Sequence, residues 1–219
     1  LRRNRMNLLR NKSSEPICWE HNFLSDDEIK KIKDYTKKLV EETARINHQE
    51  QEKPKKEFTL DYHIKNTERG IVPRKRSTKI KWIFLEKEIE WLFKKLVDKI
   101  RQVNQDNFDL QLKFVENLQF SEYNEKDNGF YDKHNDSGRA GSLHNFVDIR
   151  KLSFTIQLTD ESEYTGGELI LYPEGDKCVA PKKKGTIIFF ESNISHEVTP
   201  VTKGVRHSLV SWVQGPNIR

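Results

Sequence analysis

The sequence predicts an α+β fold in which an all-β carboxy-terminal half forms a barrel or sandwich, supported by helices on one side. Two segments in the first half repeat apolar residues at helical spacing. After residue 113 the pattern changes to an alternation of period two, and glycine and proline turns separate the short alternating runs. Helices followed by a continuous set of strands are typical of this class.

The first helix is predicted from a capping box, in which Ser25 accepts from the first-turn amides and Glu28 reaches back. Apolar residues then recur at helical spacing as far as Leu39 and Val40, with lysines on the other face. We therefore expect a helix from Ser25 to about residue 42. A polar connection at 47–57 should follow it.

The second helix is predicted over 85–103, where the apolar stripe is wide enough to pack along a sheet. The stripe comprises Leu85, Ile89, Leu92, Phe93, Leu96, Val97, Ile100 and Val103. Between the two helices, segment 58–79 suggests a strand pair with a loop that covers a site.

Five strands are predicted in the second half, at 115–123, 152–158, 168–172, 186–190 and 205–213. The first two strands each have one apolar and one polar face, and Phe114, Leu118 and Phe120 are assigned to the same apolar face. Their polar faces either meet solvent or line a barrel lumen that holds a polar ligand.

The composition is polar for a folded chain, with 33% charged residues and a formal net charge of +5. Most lysines and arginines are interleaved with acidic residues, which favours a solvated surface over a nucleic-acid interface. No apolar run is long enough for a membrane helix, no secretory signal is evident, and the two cysteines lie far apart. These features predict a cytoplasmic protein with no membrane partner.

The domain organisation follows from the same patterns. We expect residues 1–15 to be a basic amino-terminal segment and 16–219 to be a single domain. Within that domain, 25–105 should supply the helical support and 113–214 the barrel core.

The candidate chemistry lies in His134 and Asp136, which form an H-x-D pair, and in His196 sixty-two residues after His134. Two imidazoles and one carboxylate can hold a metal ion on one face and leave its other positions free. Arg206 lies on the predicted strand 205–213, on the same face as Ser208 and Trp212. An arginine that points into a barrel needs an anion, and a carboxylate-bearing cosubstrate would supply one.

The region 120–212 resembles the iron(II)- and 2-oxoglutarate-dependent dioxygenases of the prolyl 4-hydroxylase type. The resemblance rests on the H-x-D pair, the segment 196–206, the G-G-x-L motif at Gly166, the spacing of Tyr123 and Tyr131 before His134, and Trp212 six residues after Arg206. It implies a double-stranded β-helix, a jelly-roll or cupin-like barrel.

The resemblance also implies roles for individual residues. His134, Asp136 and His196 would bind Fe(II), which leaves room for 2-oxoglutarate and O2. The cosubstrate would be bound by Tyr123, Gln157, Arg206 and Ser208, and substrate contacts would come from Tyr131, Arg150 and Trp212. Gln157 departs from the family pattern, since a tyrosine often stands at its position.

The implied reaction is hydroxylation of a C–H bond, coupled to decarboxylation of 2-oxoglutarate to succinate and carbon dioxide, with ascorbate as a reductant. A prolyl residue of a peptide or protein is the favoured substrate. The alternatives are a nucleic acid, for which the cationic run 74–76 is the motivation, a small molecule, or a binding module without catalysis.

Overall fold

A computed structural model describes residues 16–43, 76–137 and 148–217. Within these ranges, helix α1 spans Asp26–Thr36, helix α2 spans Glu90–Val103, and a π-helical turn at Asn104–Phe108 continues α2. The strands are β1 (Ile17–Glu20), β2 (Glu42–Thr43), β3 (Arg76–Ser77), β4 (Lys79–Ile83), β5 (Phe114–Val115), β6 (Leu118–Asn124), β7 (Phe130–His134), β8 (Asp148–Gln157), β9 (Tyr164–Gly166), β10 (Leu169–Tyr172), β11 (Cys178–Val179), β12 (Ile187–Glu191), β13 (Ser195–Val198) and β14 (Val201–Pro216). Short 3-10 turns lie at Glu125–Asp127, Glu161–Glu163 and Pro173–Gly175.

The strands form two antiparallel sheets. The larger sheet has the order β1-β12-β8-β14-β6-β4-β2, with β5 and β9 also paired to β14, and the smaller one has the order β11-β10-β13-β7-β3. From β6 onward the chain crosses repeatedly between the sheets, with β6, β8, β12 and β14 in the larger and β7, β10 and β13 in the smaller. This is the arrangement of a double-stranded β-helix, so the predicted fold class is confirmed.

Both predicted helices are present but shorter than expected. Ser25 caps α1 with both bonds of the capping box, yet the helix ends at Thr36, and Val40 is exposed because the chain turns there into β2. Helix α2 begins at Glu90, so the predicted start at Leu85, which is also exposed, is wrong. Apolar residues continue at helical spacing after the end of α1 and before the start of α2, so periodicity alone predicts both helices too long.

The five predicted strands are all present, whereas β1, β2, β3, β4, β7, β9, β11 and β13 were not individually predicted. One face assignment is wrong. Four steps along β14, from Leu209 to Val213, lie opposite five steps on the partner segment, from Phe120 to Val115. This extra residue reverses the alternation. Phe114 therefore leaves the face of Leu118 and Phe120 and is 48% exposed.

Two apolar cores lie on opposite faces of the larger sheet. The outer core joins α1 and α2 to one face of β6, β8 and β14, through residues such as Ile32, Leu96 and Phe154. The inner core lies between the sheets and includes Tyr123, Leu171 and Phe190. The helices therefore support the barrel from one side, as the sequence predicted.

The polar faces of β6 and β8 line the barrel interior. Gln119, Ser121, Ser153, Thr155 and Gln157 are all buried. The prediction that these polar faces line the barrel lumen is therefore confirmed, and the alternative that they meet solvent is wrong. A buried row of hydroxyl and amide groups requires partners inside the barrel.

Several predicted features lie outside the described residues. They are the basic segment 1–15, the polar connection 47–57 and most of the covering segment 58–79. The single-domain organisation over 16–219 stays a prediction. In the part of the chain that is described, no helix has the length and apolar character needed to cross a membrane.

Candidate metal centre and cosubstrate pocket

The structure brings together the three residues predicted as metal ligands. His134 ends β7 and lies directly opposite His196 on β13, while Asp136 follows two residues after His134. Asp136 Oδ1 lies 3.8 Å from His134 Nε2, and its Oδ2 lies 3.5 Å from His196 Nε2. All three ligand atoms lie within 4.8 Å of one another. One ion can therefore contact all three.

Backbone carbonyls set the tautomer of both histidines. His134 Nδ1 lies 2.7 Å from the Asp132 oxygen, and His196 Nδ1 lies 3.0 Å from the Ile194 oxygen. A carbonyl only accepts, so each Nδ1 carries the hydrogen in the neutral ring. Each Nε2 then directs a lone pair towards Asp136, as a metal ligand must.

The carboxylate of Asp136 is also held by neighbours. Ser153 Oγ donates to Asp136 Oδ2 at 2.8 Å, and Ser192 Oγ lies 2.9 Å from Ser153 Oγ. The Asp136 amide donates to the Ser192 carbonyl at 2.8 Å. The acidic ligand is therefore fixed by both its backbone and its side chain.

Aromatic rings enclose the histidines. Tyr131 stacks on His134 with ring centroids 3.6 Å apart, the Arg76 guanidinium lies 4.4 Å from the Tyr131 centroid, and Phe190 meets His196 edge-on at 4.7 Å. Burial, with a smaller contribution from His196, lowers the pKa of His134 to about 4. His134 is therefore neutral, and able to bind a metal, throughout the physiological pH range.

Arg206 lies deeper in the barrel and is 1% exposed. Its Nη2 donates to Gln157 Oε1 at 3.0 Å and its Nη1 to Ser208 Oγ at 3.4 Å, while its Nε has no hydrogen-bond partner among the described residues. Tyr123 is buried beside it, with the Arg206 guanidinium 5.2 Å from the ring centroid. The four residues predicted to bind the cosubstrate thus form one group.

No carboxylate of the described chain forms an ion pair with Arg206. A buried guanidinium without an anion is costly, and a ligand that brings a carboxylate would pair with it. The pocket therefore fits 2-oxoglutarate, and the two imidazoles with one carboxylate fit iron(II).

The predicted substrate residues divide into two places. Tyr131 lies on His134, at the metal centre. Arg150 stacks on Trp212, with its guanidinium 3.7 Å from the ring centroid, and donates to both carboxylate oxygens of Glu116 at 2.7 and 2.6 Å. Trp212 lies opposite Ser153, which donates to Asp136, so this pair also borders the metal site.

Sequence reasoning missed several residues of this site. Ser153 lies on the polar face of its strand, and that alternation could have identified it. Glu116 pairs with Arg150 across the sheet, at the point where the register shifts, so no local pattern reveals it. The acceptors for the two histidines are backbone carbonyls and leave no mark in the sequence.

Comparison with known families agrees with this geometry. Residues 118–214 match the model of the 2OG-Fe(II) oxygenase superfamily. This region is therefore similar to 2OG-Fe(II) oxygenase domains. The matched range contains all three candidate metal ligands and Arg206.

Curated relatives of the chain are PKHD-type hydroxylases. One from Gloeothece citriformis is 37% identical over 84 residues, which is 38% of this chain and 37% of the relative. One from Picosynechococcus is 33% identical over 123 residues, which is 54% of this chain and 53% of the relative. The matches thus cover about half or less of these relatives' length.

Solved structures with this fold include several prolyl hydroxylases. A prolyl-4-hydroxylase of Pseudomonas putida has a TM-score of 0.61 at 18% identity and covers 92% of this chain and 94% of its own. A prolyl hydroxylase of Trichoplax adhaerens, solved with a hypoxia inducible factor peptide fragment, has a TM-score of 0.65 at 17% identity, covering 90% and 83%. At these identities the likeness establishes the fold alone.

Proposed function

We propose that this chain is a 2-oxoglutarate-dependent dioxygenase that hydroxylates a prolyl residue of a peptide or protein and releases succinate and carbon dioxide. The observation that carries the proposal is the pairing of two sites in one barrel. His134, Asp136 and His196 converge on one point, and the buried Arg206 lacks an anion among the described residues. Neither feature alone selects this chemistry, but a metal site beside an arginine that needs a carboxylate does.

Each residue then has a defined task. His134, Asp136 and His196 would hold Fe(II), and Arg206 would pair with the distal carboxylate of 2-oxoglutarate. Tyr123, Gln157 and Ser208 surround that guanidinium. When bound, Fe(II) and 2-oxoglutarate would supply the activation of O2, and 2-oxoglutarate would lose one carboxyl group as carbon dioxide. The protein's part is to orient the reactants and to exclude water. Tyr131 and Phe190 contribute to water exclusion because their rings cover the two histidines.

A groove beside the site supports a peptide as substrate. It has a volume of about 530 Å³ and is lined by Trp82, Phe84, Phe114, Val115, Glu116, Asn117 and Gln214. Glu116 binds Arg150, and Arg150 stacks on Trp212, so a residue that lines the groove contacts the predicted substrate residues. A peptide hydroxylated at the metal can place apolar side chains there.

The nucleic-acid alternative gains no support from this groove. Its described lining contains aromatic rings and one acidic residue but no lysine or arginine, whereas phosphates require cations. Of the cationic run 74–76, only Arg76 is described, and it is buried over Tyr131. The Trichoplax neighbour was solved with a peptide, which points the same way.

Mass spectrometry tests the proposal directly. The Fe(II)-loaded protein is incubated with 2-oxoglutarate and a set of proline-rich peptides, with and without ascorbate, and succinate and oxidised peptide are quantified. We expect one succinate for each prolyl oxidation, sustained by ascorbate and abolished by Asp136→Ala. Succinate without oxidised proline would reject the prolyl substrate, and turnover that survives Asp136→Ala would reject the metal site.

A further inference from the structure

Tyr164 is a buried tyrosine beside Arg206 that neither the sequence patterns nor the family resemblance singles out. It begins β9 and lies opposite Gly204 on β14, two residues before Arg206. Its side chain is 4% exposed, and its hydroxyl has no hydrogen-bond partner among the described residues. A buried hydroxyl without a partner is destabilising, and a bound ligand that accepts from it removes that cost.

Gly167 shows how closely the two side chains approach. A Cβ atom added there would lie 3.0 Å from Arg206 Cδ and 3.2 Å from Tyr164 Cε2. Both chains therefore pack on the same glycine, which itself has φ +62°. The Tyr164 hydroxyl and Arg206 Nε are two buried donors in one pocket, and neither has an acceptor among the described residues.

Gln157 does not supply the hydroxyl that a tyrosine at its position would offer. Arginine can only donate, so the atom facing Arg206 Nη2 is the amide oxygen Oε1. The Pro181 carbonyl can only accept, so the atom facing it at 3.1 Å is Nε2. The amide therefore presents an acceptor to Arg206, and one of its hydrogens is already used.

We propose that the Tyr164 hydroxyl donates to the distal carboxylate of 2-oxoglutarate beside Arg206, in place of the hydroxyl that Gln157 lacks. The inference rests on the proposed function, because it assumes that this pocket holds the cosubstrate. One carboxylate accepts from both unpaired groups at once. Burial raises the pKa of Tyr164, although Arg206 opposes the rise, so the hydroxyl keeps its proton at neutral pH.

Binding without turnover tests this role. The Mn(II)-loaded protein is titrated calorimetrically, without oxygen, with 2-oxoglutarate and with 2-oxopentanoate, which has a methyl group in place of the distal carboxylate. We expect Tyr164→Phe to raise the Kd of 2-oxoglutarate about tenfold or more and to leave that of 2-oxopentanoate unchanged. Tyr172→Phe is the matched control, since that hydroxyl binds Glu197 on the other sheet.

The outcomes separate this inference from the proposed function. If the wild-type protein does not bind 2-oxoglutarate, the proposed function fails. If it binds and Tyr164→Phe binds equally well, the hydroxyl contacts only water and the inference fails. Equal weakening for both ligands would also overturn it, because the change would then act through the shape of the pocket and not through the carboxylate.

Discussion

Gln157 Oε1 accepts a hydrogen bond of 3.0 Å from the buried Arg206 Nη2, so a neutral amide stands where an acidic side chain would neutralise the arginine. The choice of amide leaves the guanidinium charge available to a ligand. A carboxylate of the same shape would pair with Arg206 internally. The pocket is therefore selective for an anion only while residue 157 stays neutral.

Gln157→Glu should accordingly weaken cosubstrate binding without unfolding the protein. The new carboxylate pairs with Arg206 and repels the distal carboxylate of 2-oxoglutarate, so we expect the Kd to rise tenfold or more. Affinity for Mn(II) should be unchanged. Calorimetry measures both constants, with Gln102→Glu on the exposed face of α2 as the control. An unchanged Kd for 2-oxoglutarate would show that Arg206 is not its partner.

Much of this architecture could be predicted from residue patterns, because the helices and main strands have clear apolar periods. The metal ligands could be predicted from the H-x-D spacing together with Arg206. The remaining features depend on contacts that a linear pattern does not contain. Phe114 moved to the other face through a one-residue register shift, and Glu116 and Tyr164 reach the site only through pairing with distant strands.

Ser153→Ala should weaken metal binding. The substitution removes the hydroxyl that donates to Asp136 Oδ2 at 2.8 Å and loosens the carboxylate. Loss of such an outer contact typically costs about 10–100-fold in affinity. Competition titration with Mn(II) or Zn(II) measures the change. Ser162→Ala, which removes an exposed hydroxyl bonded to Asp160, should have no effect, and equal affinities for the two variants would contradict the prediction.

The metal-free protein should lose stability as the pH falls from about 6.5 towards 4. His134 has a pKa of about 4 in the folded state and 6.5 as its ordinary value, so the unfolded chain binds its proton first. This group contributes no pH dependence above 6.5, and its cost grows to the order of 3 kcal/mol near pH 4. Urea denaturation in EDTA measures the slope. His134→Gln, which cannot titrate, should flatten it; an unaltered slope would reject the low pKa.

Arg150→Lys should impair the substrate site and spare the cosubstrate site. Lysine cannot make both bonds to Glu116 or lie flat on Trp212. We expect the KM for the peptide to rise several-fold while the Kd for 2-oxoglutarate stays constant. Arg101→Lys, at an exposed ion pair with Asp98, is the control. A selective rise in the 2-oxoglutarate Kd would instead link Arg150 to the cosubstrate.

Phe114→Ala should weaken binding of long peptides more than of short ones. Phe114 is 48% exposed and Phe84 53% exposed, and both line the groove that also contains Glu116, the partner of Arg150. Contact with an apolar flanking residue of the peptide would bury these rings, which is worth about 1–2 kcal/mol, or roughly tenfold in KM.

A peptide truncated to the residues next to the target proline should show no difference in KM between Phe114→Ala and the wild type. Val179→Ala changes an equally exposed residue on the smaller sheet and should leave both KM values unchanged. Sedimentation velocity completes the test, because a change in oligomeric state with an unaltered peptide KM would mean that the rings serve self-association and not substrate binding.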